Sequence, residues 1–278
     1  MAMEQGGGSP HEQTDRIQLC GRLAATIAGR QIDDGMKGRE ERSLFAYLVL
    51  HRLSPVDTMG LVEALWPDQQ PSDAGGQVDR LLRRLRRLLG NRLELRPYVQ
   101  LRLPTDSFVD IEVAAEAIHR SEAAVAREDW STSWPAARIA LHTARRMFLP
   151  GAQAPWVQAQ RRRMGEIELR AHACIAATGL GLGGNEVISA ERSARVLIER
   201  EPLRESGYRH LMAALARRGN LAEAIQAYAI LVRRLAEDIG IEPSPEMRVL
   251  RDQLTRGART HNTSSRVGRD NHSDVHVY

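Results

Sequence analysis

The stretch QVDRLLRRLRRLLG, Gln77–Gly90, reads as one helix with two faces of opposite chemistry. At about 100° per residue, Val78, Leu81, Leu82, Leu85, Leu88 and Leu89 share one arc, so that side must dock on a core. Arg80, Arg83 and Arg87 fall opposite, with Arg84 and Arg86 on the flanks. Guanidinium groups this close repel one another, and the single acid of the stretch, Asp79, offsets only part of the charge. A polyanion would neutralise the rest. The plainer reading of a basic run is a solvated helix face, and the context has to decide between the two.

Upstream, residues 17–33 read as short strands. Ile17 and Leu19 alternate with polar residues, Leu23–Ala28 continues the pattern, and Ala28-Gly29-Arg30 makes a hairpin-like turn before Gln31-Ile32. A helix over Arg39–Arg52 carries Leu44, Phe45, Leu48 and Val49 on one face. A second starts at Asp57, a plausible N-cap, presents Leu61, Val62, Leu65 and Trp66, and stops at Pro67. The loop Pro67–Asp73 leads into the arginine helix. Gly75 and Gly76 weaken its first turn, each costing about 1 kcal/mol relative to Ala, and Gly90 closes it. Arg92–Arg96 and Val99–Leu103 then form a small hairpin around Pro97-Tyr98.

Strand layer, three helices and hairpin, in that order, is a winged helix-turn-helix. In that fold the outward residues of the helix's N-terminal half, here Gly76, Arg80 and Arg83, meet base edges in the major groove. Arg84, Arg86 and Arg87 are then placed to grip phosphates on either side. Arg96 and Arg102, on or near the hairpin, are candidates for minor-groove or backbone contacts. Trp66, Trp130, Trp134 and Trp156 lie on apolar helical faces and read as core anchors rather than base-stacking platforms.

After Pro104 the chain turns almost wholly helical. Amphipathic segments run over Ile111–Arg127, Trp134–Met147, Pro155–Ala177, Glu186–Glu199, Leu203–Arg217, Leu221–Glu237 and Pro245–Thr255. Asn185, Ala190 and Ala194 match Asn220, Ala224 and Tyr228 at a spacing near 34 residues, the period of tetratricopeptide (TPR) helix pairs. The divisions expected are a disordered arm over 1–15, a winged helix-turn-helix over 16–105, a helical TPR-like domain over 106–257 and a disordered tail over 258–278. The fold class is therefore mainly α with a small β component.

No constellation points to catalysis. Gly179-Leu-Gly-Leu-Gly-Gly184 lacks the Lys-Ser/Thr of a phosphate loop, follows no strand, and reads as a loop after a helix. The histidines include no metal-ligand spacing, and His119, His142 and His172 read as helix-surface residues. No serine has a nucleophile-elbow context. Cys20 and Cys174 lie far apart and read as small buried hydrophobes in a reducing compartment. The chain is thus expected to be no enzyme and to need no cofactor or metal. Its net charge is only +4 over 278 residues, so a nucleic-acid site must be local. Almost all the positive charge is arginine, and Lys37 is the only lysine. With no apolar run near about 18 residues and no signal-peptide pattern, a cytoplasmic protein off the membrane is expected.

These residues in this order resemble the actinobacterial antibiotic regulatory proteins (SARP-type) from about Ile17 to Gly257. GREERSLFAYLVLHR (38–52) is similar to the family's first helix, LVEALWPD (61–68) to the helix that props the recognition helix, and LLRRLRRLLG (81–90) to the recognition helix itself. The stretch ESGYRHLMAALARRGNLAEAIQAYAILVRRLAEDIGIEPSPEMRVL (205–250) resembles the bacterial transcriptional activator domain, most specifically at Asp238–Pro245. The resemblance implies a winged helix of OmpR type and a TPR-like activator domain. It also implies activation of transcription at promoters with direct repeats, commonly in secondary metabolism.

The expected partners are double-stranded promoter DNA, RNA polymerase and a second copy of the chain on DNA. The resemblance further implies a polymerase contact at the loop holding Asp68, Gln69, Gln70 and Asp73. That loop carries acids and no base, so DNA would repel it and leave it free for a protein. Arg83 and Arg84, where the family usually has small or polar residues, Gly75-Gly76 and the glycine-free wing at Pro97-Tyr98-Val99 depart from the family's pattern. They leave open a second class of function, a protein–protein interaction module whose winged helix no longer binds DNA.

Overall fold

The computed structural model describes residues 14–256. The expected arm as far as residue 13 and the expected tail, 258–278, lie outside the described residues. The chain packs as two compact units, one of residues up to 117 together with 139–168, the other of 118–138 together with residues from 169 onward.

The first unit holds strands β1 (Arg16–Gln18), β2 (Ala24–Ile27), β3 (Arg30–Gln31) and β6 (Phe108–Val109) in the order β3-β2-β1-β6. β1 and β2 are antiparallel, with Ile17 opposite Ala25, and β1 pairs parallel to β6 with Ile17 opposite Val109. The turn between β2 and β3 has positive φ at Ala28 and Gly29, 49° and 73°, as a two-residue hairpin requires. Helices α1 (Arg39–Leu50), α2 (Thr58–Leu65) and α3 (Ala74–Leu89) follow, then the hairpin β4 (Leu93–Glu94) and β5 (Gln100–Leu101). Leu44, Phe45, Leu48 and Val49 of α1 are buried as their spacing predicts, with Leu61 and Val62 of α2. The Asp57 side chain caps α2, accepting the Gly60 N–H at 2.7 Å.

Two features of this unit differ from the sequence reading. Asp15, placed in the arm, is 2 % exposed: it accepts the Ala28 N–H at 2.8 Å and faces Arg92 at 3.7 Å. Its place at the head of β1 outweighs the polar composition of the residues before it. The unit also draws on residues well past the hairpin. Asp110, at the start of α4 (Asp110–Ala126), accepts the backbone N–H groups of Leu19 and Cys20 at 2.9 and 3.0 Å. Phe148 bridges to Cys20, and Trp156 donates its indole N–H to the Ala64 carbonyl at 2.9 Å. Arg161 holds the carbonyls of Phe148, Leu149 and Ala152 at 3.0–3.1 Å. Burial raises the Asp110 carboxyl above its ordinary range, against its backbone donors and Arg146, and pushes the Cys20 thiol up to about 12. Cys20 is therefore an inert core side chain.

In the second unit, the rest of α4 and of α5 (Trp130–Ala144) meets the later part of α6 (Pro155–Leu182), followed by α7 (Glu186–Arg200), α8 (Glu205–Arg217) and α9 (Leu221–Ile239). Residues 245–256 form a tenth helix. Ala194, Tyr208, Met212, Leu215, Ala224, Tyr228, Leu231 and Met247 form a continuous core across α7, α8, α9 and the helix after them. The repeat residues Ala190, Ala194 and Ala224 are fully buried in it or beside it, which is why small side chains recur there. Gly240, with φ 69°, ends α9, and Ser244 caps the helix that follows.

The glycine run departs from expectation: Gly179–Leu182 continues α6, and only Gly183 and Gly184, with φ 75° and 56°, turn the chain. Close packing explains the helical glycines. A Cβ at Gly179 would strike the Glu186 carbonyl and Ala190 on α7, and one at Gly181 would strike the Trp130 ring. His172 differs as well: it is buried and hydrogen-bonds with Ser193 Oγ at 3.2 Å, rather than lying on a helix surface. None of the four tryptophans is fully buried; each is half-exposed at the edge of its core.

Candidate nucleic-acid interface

α3 is positioned by its own apolar face. Val78, Leu82, Leu85 and Leu89 are buried, Leu81 and Leu88 half-buried, and the helix packs on α1, α2 and β4. Arg80, Arg83, Arg84, Arg86 and Arg87 all stand on the exposed side, as the 100° projection requires. The helix begins earlier than its weak first turn suggests. Asp73 caps it, accepting the Gly76 N–H at 3.2 Å, and a Cβ at Gly76 would collide with that carboxylate. The glycine that lowers helix propensity is the one that admits the cap.

The seven candidate arginines fall into two groups. Arg80 donates two bonds of 3.2 Å to Asp73, Arg86 donates to the Leu93 carbonyl, and Arg102 forms a two-pronged pair with Glu94 at 3.1 Å. Arg86 thereby ties α3 to the hairpin, and Arg102 braces the hairpin diagonally across its own strands. Arg83 reaches only the Asp79 carbonyl, at 3.2 Å. Arg84, Arg87 and Arg96 are exposed and make no ion pair among the described residues. Arg83, Arg84 and Arg87 thus carry uncompensated charge along one helix.

The hairpin is shorter than read, with Leu93 opposite Leu101 and Glu94 opposite Gln100, and Arg96 and Tyr98 exposed at its tip. Val99 joins it to Val56 by a pair of 2.9 Å backbone bonds. Asp68, Gln69 and Gln70 are exposed in the loop between α2 and α3, whereas Asp73 is committed to the α3 cap and to Arg80. Sequence reasoning missed these internal partners. The Glu94–Arg102 pairing was open to it through the strand register, but the Asp73–Arg80 pair needs a side chain bent back along nearly two helical turns.

Elsewhere the titratable groups serve packing. Ser121, Ser133 and Thr178 form a buried hydroxyl chain with oxygens 2.9 and 2.8 Å apart. Arg170 holds Glu122 below the ordinary carboxylate range. Burial pulls His210 down to about 4, so it is neutral at pH 7. Among the described residues no cluster of His, Cys, Asp and Glu could hold a metal ion, and no helix is long and apolar enough to cross a membrane.

Residues 109–255 match the model of the bacterial transcriptional activator domain. The chain is 28 % identical over 255 residues to the regulatory protein AfsR of Streptomyces coelicolor, an alignment that covers 89 % of this chain and 25 % of that protein. It therefore spans about a quarter of the length of that relative. The transcriptional regulatory protein EmbR of Mycobacterium tuberculosis is 28 % identical, over 90 % of this chain and 66 % of its own. The regulatory protein DnrI of Streptomyces peucetius is 24 % identical, over 87 % and 92 %. A solved structure of M. tuberculosis EmbR, in complex with a low-affinity phosphopeptide, superposes with a TM-score of 0.70 at 24 % identity, covering 92 % of this chain and 71 % of that one. It shares the fold described above. With more than half of its length matched by the domain model and a mainly helical fold behind a small N-terminal sheet, the chain belongs to the bacterial transcriptional activator domain family, that of the SARP-type regulators.

Proposed function

We propose that this chain is a sequence-specific DNA-binding regulator of transcription, with 16–105 as the reading head and 106–257 as the helical activator region. The carrying observation is α3: one face is locked into the core, while Arg83, Arg84 and Arg87 stand opposite with no ion pair among the described residues. In the major groove, Arg80 and Arg83 face base edges and Arg84 and Arg87 face phosphates. Arg96 at the hairpin tip serves the neighbouring groove or backbone. The relatives, regulatory proteins by name, support regulation of transcription. Direct repeats, a second copy on DNA, a cytoplasmic setting and control of secondary metabolism complete the proposal by resemblance.

A gel shift at rising salt tests it. Phosphate binding must weaken steeply, by about 0.9 in log K per unit of log salt for each phosphate neutralised. One observation favours the second reading, a protein-interaction module: Arg80, Arg86 and Arg102 already hold partners inside the protein. Retention of the duplex only at very low salt, with no sequence preference, would establish that reading instead.

Activation is proposed to run through Asp68, Gln69 and Gln70 meeting RNA polymerase, with Asp73 as the loop's anchor. A triple change of Asp68, Gln69 and Gln70 to Ala should leave DNA affinity within about 0.5 kcal/mol of wild type, as exposed substitutions do. Transcription in a reconstituted assay should fall clearly; unchanged transcription would remove the contact.

A further inference from the structure

Beside the arginine face, α3 shares a small cavity with the segment leading into α1. Gly35, Lys37, Glu41, Arg84, Arg87 and Leu88 line about 290 Å³. Arg84 and Arg87 are about one turn apart on α3. Lys37 comes from the opposite wall, two residues before α1, and is exposed. Leu88 packs close against Gly35, where a Cβ would overlap its methyl groups. That close approach brings Lys37 up to the helix.

None of the three cations makes a hydrogen bond or an ion pair among the described residues, although all three face one cavity. The one carboxylate there, Glu41, is 3 % exposed and has no ion-pair partner among them either. Three positive groups against one negative leave an excess of positive charge, and like charges gathered in one cavity favour an anion that they can share. Two guanidinium forks and an ammonium suit a tetrahedral oxyanion, which accepts several donors at once. Glu41 offsets one of the three charges and still leaves an excess for an anion, and the cavity's place beside the arginine face of α3 points to a phosphodiester of bound DNA.

We propose that Lys37, Arg84 and Arg87 form a clamp for one backbone phosphate of duplex DNA, set C-terminal to the base-reading residues of α3. The proposal rests on the DNA-binding reading above. It adds a residue outside the helix-turn-helix and the wing, and it fixes the register of α3 from the α1 side. A phosphate held there carries no sequence information; it sets how deep and at what angle Arg80 and Arg83 enter the groove.

Because Lys37 is the only lysine, an amine-selective acylating reagent marks no other side chain amine in the protein. The test uses the full chain and a random-sequence duplex at about 50 mM salt, where phosphate contacts dominate binding. Peptide mass spectrometry follows acylation at Lys37, with added N-acetyl-lysine as the reference amine. The duplex should slow Lys37 acylation several-fold and leave the reference unchanged. In parallel, Lys37→Ala should flatten the plot of log K against log salt by about 0.9, one phosphate's share, and Lys37→Arg should restore it. Unaltered Lys37 reactivity with unaltered slope, while the protein still shifts the duplex, overturns the clamp alone. Failure to shift any duplex overturns both the clamp and the DNA reading. Protection by inorganic phosphate at matched ionic strength, with none by the duplex, assigns the cavity to a free anion and also overturns it.

Discussion

Arg83 and Arg87 stand four residues apart with different work proposed for them. Arg83 points outward near the middle of α3, tied only to the Asp79 carbonyl, and can leave it at little cost for a base edge. Replacing it with Ala should cost about 1–3 kcal/mol at a cognate site and relax the preference at one position. Arg87→Ala should instead weaken all sequences alike and reduce the salt slope by about one unit. Quantitative gel shifts on cognate and scrambled duplexes separate the two outcomes. A triple Arg80, Arg83 and Arg87 to Ala variant that stays folded and binds as wild type would show that the face lies elsewhere. A count of arginines cannot make this distinction, because it depends on which guanidinium already has a partner.

Among the elements, α3 was the most legible in the sequence and also the one whose start was misjudged. Its docked arc follows from the leucine spacing alone. Its first turn depends on a contact that a propensity scale does not contain, the fit of the Asp73 carboxylate against a glycine. The two glycines should therefore respond in opposite ways. Gly75 has open space around its Cβ position, so Gly75→Ala should stabilise the protein by up to about 1 kcal/mol. Gly76→Ala gains the same propensity but displaces the cap, itself worth about 1 kcal/mol, and should bring no net gain. Urea midpoints at constant slope measure both.

The same limit explains the glycine run at the end of α6. Gly179 and Gly181 read as turn residues because their small size was taken as backbone freedom. In the structure they are helical, and their missing side chains make room for α7 and for Trp130. The hairpin and the Asp57 cap were both visible because each rests on neighbours within a few residues. His172 and Asp15 were not, since their partners lie 21 and 13 residues away.

For the molecule as a whole, the chain's order and its packing divide differently. A boundary at residue 105 separates the winged helix from the helical region, yet Asp110, Phe148, Trp156 and Arg161 pack with the N-terminal strands and with α2. A fragment of residues 1–105 would leave the Leu19 and Cys20 N–H groups without their carboxylate and would bare the surface that Phe148 and Trp156 cover. It should unfold at clearly lower urea than the full chain, and it should bind DNA more weakly. A fragment that melts and binds like the full chain would show that residues 139–168 add nothing to the first unit's stability.

Any protein seeking one promoter meets a chromosome of wrong sequence first, and its dwell time there depends on how readily its charges settle for any phosphate. If α3 enters the groove as proposed, the Asp73 carboxylate would act in that encounter as a resident competitor. The pair is exposed and weak, so it would tilt Arg80 modestly away from a single phosphate contact and toward the paired acceptors of a guanine edge. The capping acid thereby imposes a threshold on the arginine beside it. Asp73→Ser keeps a good cap without the charge. Residence on random DNA should lengthen in that variant while the cognate complex changes little, so the protein would grow stickier and less discriminating at once. Single-molecule dwell times on non-cognate DNA would read that loss directly.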